Sequence, residues 1–163
     1  MRAFKVVVTG SAETGKTSFV QRLLDGSFPQ DYSPTHGVDV HGVIVKTSHG
    51  SVCLNFWDCA GQDRYRGLGD GYYINADAAL IFVVSETEKV SWTLEQVRRS
   101  ISRPVILVQN KMDSDPEILW AQTLAKAEKL PYHQISVKDN FSLDLVLLRL
   151  IRSLLRDESV RIM

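Results

Sequence analysis

Residues 10–17 read GSAETGKT, and no other stretch constrains the chain as tightly. An apolar β-type run at 4–9 leads into it and a helical pattern at 16–24 leads out, so a strand must turn sharply into a helix around two glycines. The spacing is G-x-x-x-x-G-K-[ST], a loop whose backbone N–H groups converge on phosphate oxygens at a helix N-terminus. Gly10, Ser11, Ala12, Glu13, Thr14, Gly15, Lys16, Thr17 and Ser18 are therefore the expected phosphate-side residues. Lys16 is expected to reach the β and γ phosphates. Thr17 is expected to place its hydroxyl on Mg²⁺, a cation that takes few protein ligands and keeps most of its waters.

The rest of the chain alternates strand and helix patterns. β-rich apolar runs fall at 4–9, 38–47, 52–58, 78–84, 105–109 and 133–136, and helical patterns at 16–24, 91–100, 116–129 and 142–156. The second and third runs are joined by SHGS at 48–51, short enough for a hairpin, whereas most others are separated by the longer crossovers that parallel strands require. Asp115 before Pro116 reads as a cap with proline at the first helical position. These features predict an α/β three-layer sandwich of the P-loop NTPase type. Its six-stranded sheet is mostly parallel with one antiparallel edge strand, and ligands sit at the carboxyl ends of the strands. No repeat or linker divides residues 1–163, so one domain is expected.

Length and charge narrow the partners. A chain of 163 residues buries roughly 70% of its unfolded surface without needing a metal or disulfide. With 19 basic and 19 acidic side chains it offers no electrostatic case for nucleic acid or an anionic membrane, and a monomer recognised by shape is expected. Cys53 and Cys59 read as reduced thiols, which suits an intracellular compartment. The longest apolar run is AALIFVV at 78–84, Met1 is not followed by glycine, and the final VRIM has no cysteine, so no membrane anchor is expected.

The choice of base rests on NKMD at 110–113, which follows the strand pattern VILVQ. A carboxylate at Asp113 can accept from both N1–H and the 2-amino group of guanine, a donor pair that adenine lacks. Asn110 is expected on the N7 side and Lys111 to lay its stem on the ring. SVK at 136–138 ends the next strand pattern, so Ser136, Val137 and Lys138 are expected to bring the Val137 amide to the O6 of the base. Phe28 is placed to pack edgewise on the base. WDCAGQ at 57–62 supplies Asp58 to hold a Mg²⁺ water, Gly61 to offer its N–H to the γ phosphate and Gln62 to orient an attacking water. Thr35, in YSPTHG at 32–37, completes the set. The expected catalytic residues are Gln62, Lys16 and Thr35, and the expected metal residues are Thr17, Thr35 and, through water, Asp58. A P-loop nucleotide kinase fits less well, because no arginine-bearing lid lies between the strands and NKMD would have no task.

Taken together, TGKTSFVQRLLDGSF, YSPTHGVDVH, FWDCAGQDRYRGLGDGYYINADAA and NKMD resemble the Ras-like small GTPases and, among them, most closely the Ran branch. The likeness is strong over residues 4–77 and thinner beyond. It implies a GTP/GDP switch, with switch I at about 27–40 and switch II at about 59–73. GTP would tie both down through Thr35 and Gly61, and hydrolysis would release them. It also implies an exchange factor, a GTPase-activating protein, karyopherin-type transport receptors bound in the GTP state, and a location in nucleus and cytoplasm. With no arginine finger in cis, slow intrinsic hydrolysis is expected.

The departures from Ran are specific. Ala12 stands where Ran has glycine, Tyr65 replaces a switch II phenylalanine, and LAKAEKLPYH at 124–133 dilutes a basic patch. The helix before RPVILV is shorter, and Ran's C-terminal acidic tail has no counterpart up to Met163. The resemblance thus leaves two readings open, a cycling GTPase and a GTP-loaded, poorly hydrolysing binding module that competes for Ran partners.

Overall fold

Strands that read as unbroken apolar runs belong in a sheet covered on both faces. The computed structural model describes residues 1–26, 37–59, 71–84, 89–102, 104–111 and 119–163. In it, β1 (Arg2–Gly10), β3 (Gly50–Cys59), β4 (Ala78–Val83), β5 (Val105–Gln109) and β6 (Tyr132–Gln134) run parallel, and β2 (Val38–Thr47) pairs antiparallel with β3 at one edge. The strand order is β2-β3-β1-β4-β5-β6. This is the six-stranded, mostly parallel sandwich expected from the sequence.

Alternation along the strands sorts side chains into two cores. Val6, Val8, Leu80, Phe82, Ile106 and Val108 face α1 (Lys16–Asp25) and α4 (Leu143–Leu155), where α4 contributes Leu143, Val146, Leu147, Leu150 and Ile151. Val7, Ala79, Ile81 and Leu107 face α2 (Lys89–Ser100) and α3 (Leu119–Ala127). Of the described helices, none is long and apolar enough to cross a membrane.

Several boundaries differ from those the sequence suggests, each for a local reason. The hairpin is tighter than SHGS implies, with Thr47 paired to Gly50 across a two-residue turn. The Thr47 hydroxyl donates to Gly50 O at 2.6 Å and accepts from the His49 N–H at 3.0 Å, closing that turn. β6 begins one residue early and stops at Gln134. The Tyr132 hydroxyl donates to Gln109 Oε1 and accepts from Gln134 Nε2, holding the early start. Ser136 leaves the sheet to pair with Phe141. Ser142, expected inside α4, has φ 60° and precedes the helix as its cap. The suggested cap at Asp115 and Pro116 lies outside the described residues.

Phe19 connects the core to the ligand end of the sheet. It sits two residues after Thr17, is fully buried, and meets Phe82 of β4 at 5.2 Å and Phe56 of β3 at 6.2 Å, both edge-on. The first turn of α1 is thereby fixed over β1's neighbours on either side. Phe19→Ala is expected to lower the free energy of unfolding in urea by about 3–5 kcal/mol with an unchanged m-value. A loss below about 1 kcal/mol would mean that other contacts hold this turn.

Candidate phosphate-binding site

The loop between β1 and α1 is built around close approach. At Gly10, φ is 140° and an added Cβ would lie 2.4 Å from the Phe82 carbonyl oxygen of β4. At Gly15, φ is 90° and an added Cβ would lie 2.0 Å from the Asn110 side-chain nitrogen. Only glycine fits either position, so the two fixed residues of the motif mark where the loop presses on β4 and on the end of β5. Gly15 is also the N-cap of α1, which has no side-chain cap and no acidic residue in its first turn. The helix therefore starts in backbone donors and a positive dipole end with no acidic side chain in its own first turn to compensate them, the arrangement that suits phosphate.

Lys16 follows. It is 6% exposed, and its ammonium donates to Ser11 O at 2.7 Å, Gly10 O at 3.1 Å and Thr14 Oγ1 at 3.3 Å. Burial pulls its pKa down to about 8, opposed by the nearby Asp58 carboxylate. A cation held at such a cost among neutral oxygens is suited to an arriving phosphate anion. Asp58, at the end of β3, is fully buried. Its Oδ2 accepts from Thr17 Oγ1 at 2.6 Å, while Oδ1 meets no donor among the described residues. Burial raises its pKa, against the Thr17 hydrogen bond and the Lys16 charge.

These residues fit Mg²⁺. A hydroxyl that donates to a carboxylate keeps acceptor lone pairs for a metal. The second Asp58 oxygen is an acceptor without a donor among the described residues, as a metal-bound water requires. Thr17 and Asp58 would hold the ion, and its chemistry there would be to neutralise phosphate charge.

The base-side residues are bound to the phosphate loop in this structure. Asn110, 3% exposed, donates from Nδ2 to Thr14 O at 2.9 Å and accepts at Oδ1 from the Val137 N–H at 3.1 Å. One of its two amide hydrogens is thus committed to the loop, and a primary amide carries a second. The Val137 amide, expected at O6 of the base, donates to Asn110, and the Lys111 ammonium, whose stem was expected on the ring, donates to Glu13 O. Glu13 and Lys111 both have positive φ, 61° and 64°, a local strain of the kind that gathers at binding sites. Ser136 is buried and accepts from the Asp139 N–H at 3.1 Å, shaping the turn that presents residues 136–138. Ser11, Ala12, Glu13 and Ser18 lie on the same loop and first helical turn, with Ala12 and Glu13 exposed.

Phe28, Thr35, Gly61, Gln62, Tyr65 and Asp113 lie outside the described residues, as do most of the two switch segments. Two contacts around the site escaped the sequence reading. The Thr9 hydroxyl, just before Gly10, meets the Tyr73 hydroxyl at 3.0 Å in a buried pair, so the last residue of the segment expected as switch II touches the root of the loop at 10–17. Arg22 of α1 donates to the carbonyls of Val137 and Lys138. Thr9 at the end of an apolar strand is the one trace of the first contact in the sequence, and Arg22, among other polar residues of α1, gives none of the second.

Gly15 and Gly26 give a matched test, since both have positive φ (90° and 77°) but a Cβ at Gly26 meets nothing within 4 Å. Gly26→Ala is expected to cost about 1 kcal/mol of stability and to leave GDP affinity within about threefold. Gly15→Ala is expected to lower GDP affinity at least about a hundredfold by displacing Asn110. Equal effects in a GDP titration would refute the close-approach argument.

A scan against protein families matches the Ras family over residues 5–156, from β1 past the end of α4. Proteins of that family bind GTP or GDP with Mg²⁺, generally hydrolyse GTP, and are acted on by exchange factors and activating proteins. The glycine-hinged loop, the buried lysine and the threonine–aspartate pair sit within that match, and the chain belongs to the Ras family of small GTPases.

Proposed function

We propose that this protein is a Ran-like switch, which hydrolyses GTP slowly on its own and binds karyopherin-type transport receptors in its GTP state. It acts as a monomer of one domain that moves between nucleus and cytoplasm. The observation that carries the nucleotide chemistry is Asp58, buried, holding Thr17 with one oxygen and leaving the other without a donor among the described residues. The Ran-like part rests on sequence likeness, above all GVDVH at 37–41 and GLGDGYYI at 67–74.

In this reading Lys16 binds the β and γ phosphates, and the N–H groups of the loop and first turn of α1 orient them. Thr17 and Thr35 hold the metal, and Gln62 orients the attacking water. Asp113 reads the guanine donors. Asp113→Asn is expected to exchange preference from GTP to XTP, because an amide can donate to the 2-oxo group of xanthine. A parent chain with equal affinity for ATP and GTP would overturn the assignment of the base.

The exposed methyl of Ala12 on the phosphate loop favours a second reading, a GTP-loaded competitor for Ran partners. Phosphate contacts come from backbone N–H groups, so Ala12 leaves binding intact. Its methyl crowds the approach of Gln62 and an activator's arginine, where a 1 Å displacement costs on the order of 10²-fold. Single-turnover hydrolysis with a Ran-type activating protein separates the readings. Ala12→Gly raises the stimulated rate at least several-fold if the competitor reading holds and leaves it unchanged if the chain cycles normally, and Gln62→Leu abolishes hydrolysis in both. Under either reading a karyopherin is retained by the GTP-loaded chain and released by the GDP-loaded one. Equal retention would refute the transport assignment.

A further inference from the structure

We infer that Arg22 is a positioning residue that ties the base-side loop at 136–138 to the start of switch I. Its guanidinium donates from Nε and Nη2 to Val137 O, at 3.2 and 3.0 Å, and from Nη2 to Lys138 O at 2.7 Å. From Nη1 it donates to Gly26 O at 2.8 Å. Gly26, where α1 ends with φ 77°, also donates its N–H to the Arg22 carbonyl at 3.0 Å. Arg22 thus holds Gly26 by both its backbone groups, one residue before the segment assigned to switch I. On the other side, Val137 is held by both of its backbone groups as well, its N–H by Asn110 and its carbonyl by Arg22.

A planar fork suits this task because its donors point in fixed directions toward separate carbonyls. Peptide planarity adds a consequence. With the Val137 and Lys138 carbonyls turned toward α1, the N–H groups of Lys138 and Asp139 point to the opposite side of their peptide planes. The second of these donates to Ser136 Oγ at 3.1 Å. Arg22, together with the Asn140 N–H that also donates to Val137 O at 3.3 Å, therefore sets which way the N–H groups of Lys138 and Asp139 face, beside the Val137 N–H that Asn110 holds, and the same side chain holds Gly26 where the chain departs for switch I.

The inference rests on the guanine-nucleotide reading of the site, and the test separates the two. Full-length parent, Arg22→Lys and Arg22→Gln are titrated with GDP and with ADP, and hydrogen exchange is followed in peptides covering 20–26 and 134–141. Arg22→Gln is expected to weaken GDP at least about tenfold while ADP changes less than about threefold, so the GDP-to-ADP ratio falls. Arg22→Lys, which keeps the charge and loses the fork, recovers part of that ratio. Both peptides are expected to exchange faster together in Arg22→Gln. Equal weakening of GDP and ADP, or faster exchange in one peptide alone, overturns the inference. A parent without preference for GDP sinks the base reading, and the paired exchange response then decides the role of Arg22 by itself. If circular dichroism shows Arg22→Gln unfolded, the same measurements on Arg22→Lys decide it.

Discussion

The site depends on one buried amide. Asn110 spans the gap between the phosphate loop and the base-side turn, donating to Thr14 O and accepting from the Val137 N–H. Both backbone groups are buried away from water, and leaving either unpaired would cost about 1–3 kcal/mol. The side chain can reach both only because Gly15 carries no Cβ, and Gly15 keeps its place because Phe19, one turn later, is locked between Phe56 and Phe82. Core packing thereby sets the position of the amide, and the amide sets the spacing between the loop at 10–17 and the turn at 136–138.

Charge is arranged with equal economy. The Lys16 ammonium is buried among carbonyl oxygens, the first turn of α1 has no acidic side chain, and Asp58 keeps one oxygen without a described donor. Each is unfavourable in the bare protein, and each is a place that a magnesium nucleotide would relieve in the proposed reading. A ligand that completed this electrostatic set would link occupancy to folding stability.

Much of this was legible in the sequence because it follows from local patterns. Strand period, crossover length and the GSAETGKT spacing place the sheet, its antiparallel edge and the phosphate loop. What was not legible depends on distances between segments far apart in the chain. Nothing in NKMD says that Asn110 and Lys111 bind the carbonyls of Thr14 and Glu13, or that Val137 donates to Asn110. β3 starts two residues and β6 one residue before the apolar runs because the Thr47 hydroxyl draws Gly50 into the ladder and the Tyr132 hydroxyl joins β6 to Gln109. Arg22 looked like an ordinary polar position on α1, since its three acceptor carbonyls, on Val137, Lys138 and Gly26, cannot be read from side-chain patterning.

The contact between Gly15 and Asn110 also constrains how such a chain can diverge. The missing Cβ of one residue is the space occupied by the amide of the other, 2.0 Å from where that Cβ would stand. A larger residue at 15 first requires a smaller or reoriented one at 110, and that change alone would strand Thr14 O and the Val137 N–H. Neither single step is neutral, so a substitution in either of the two motifs, 95 positions apart in sequence, calls for a compensating change in the other.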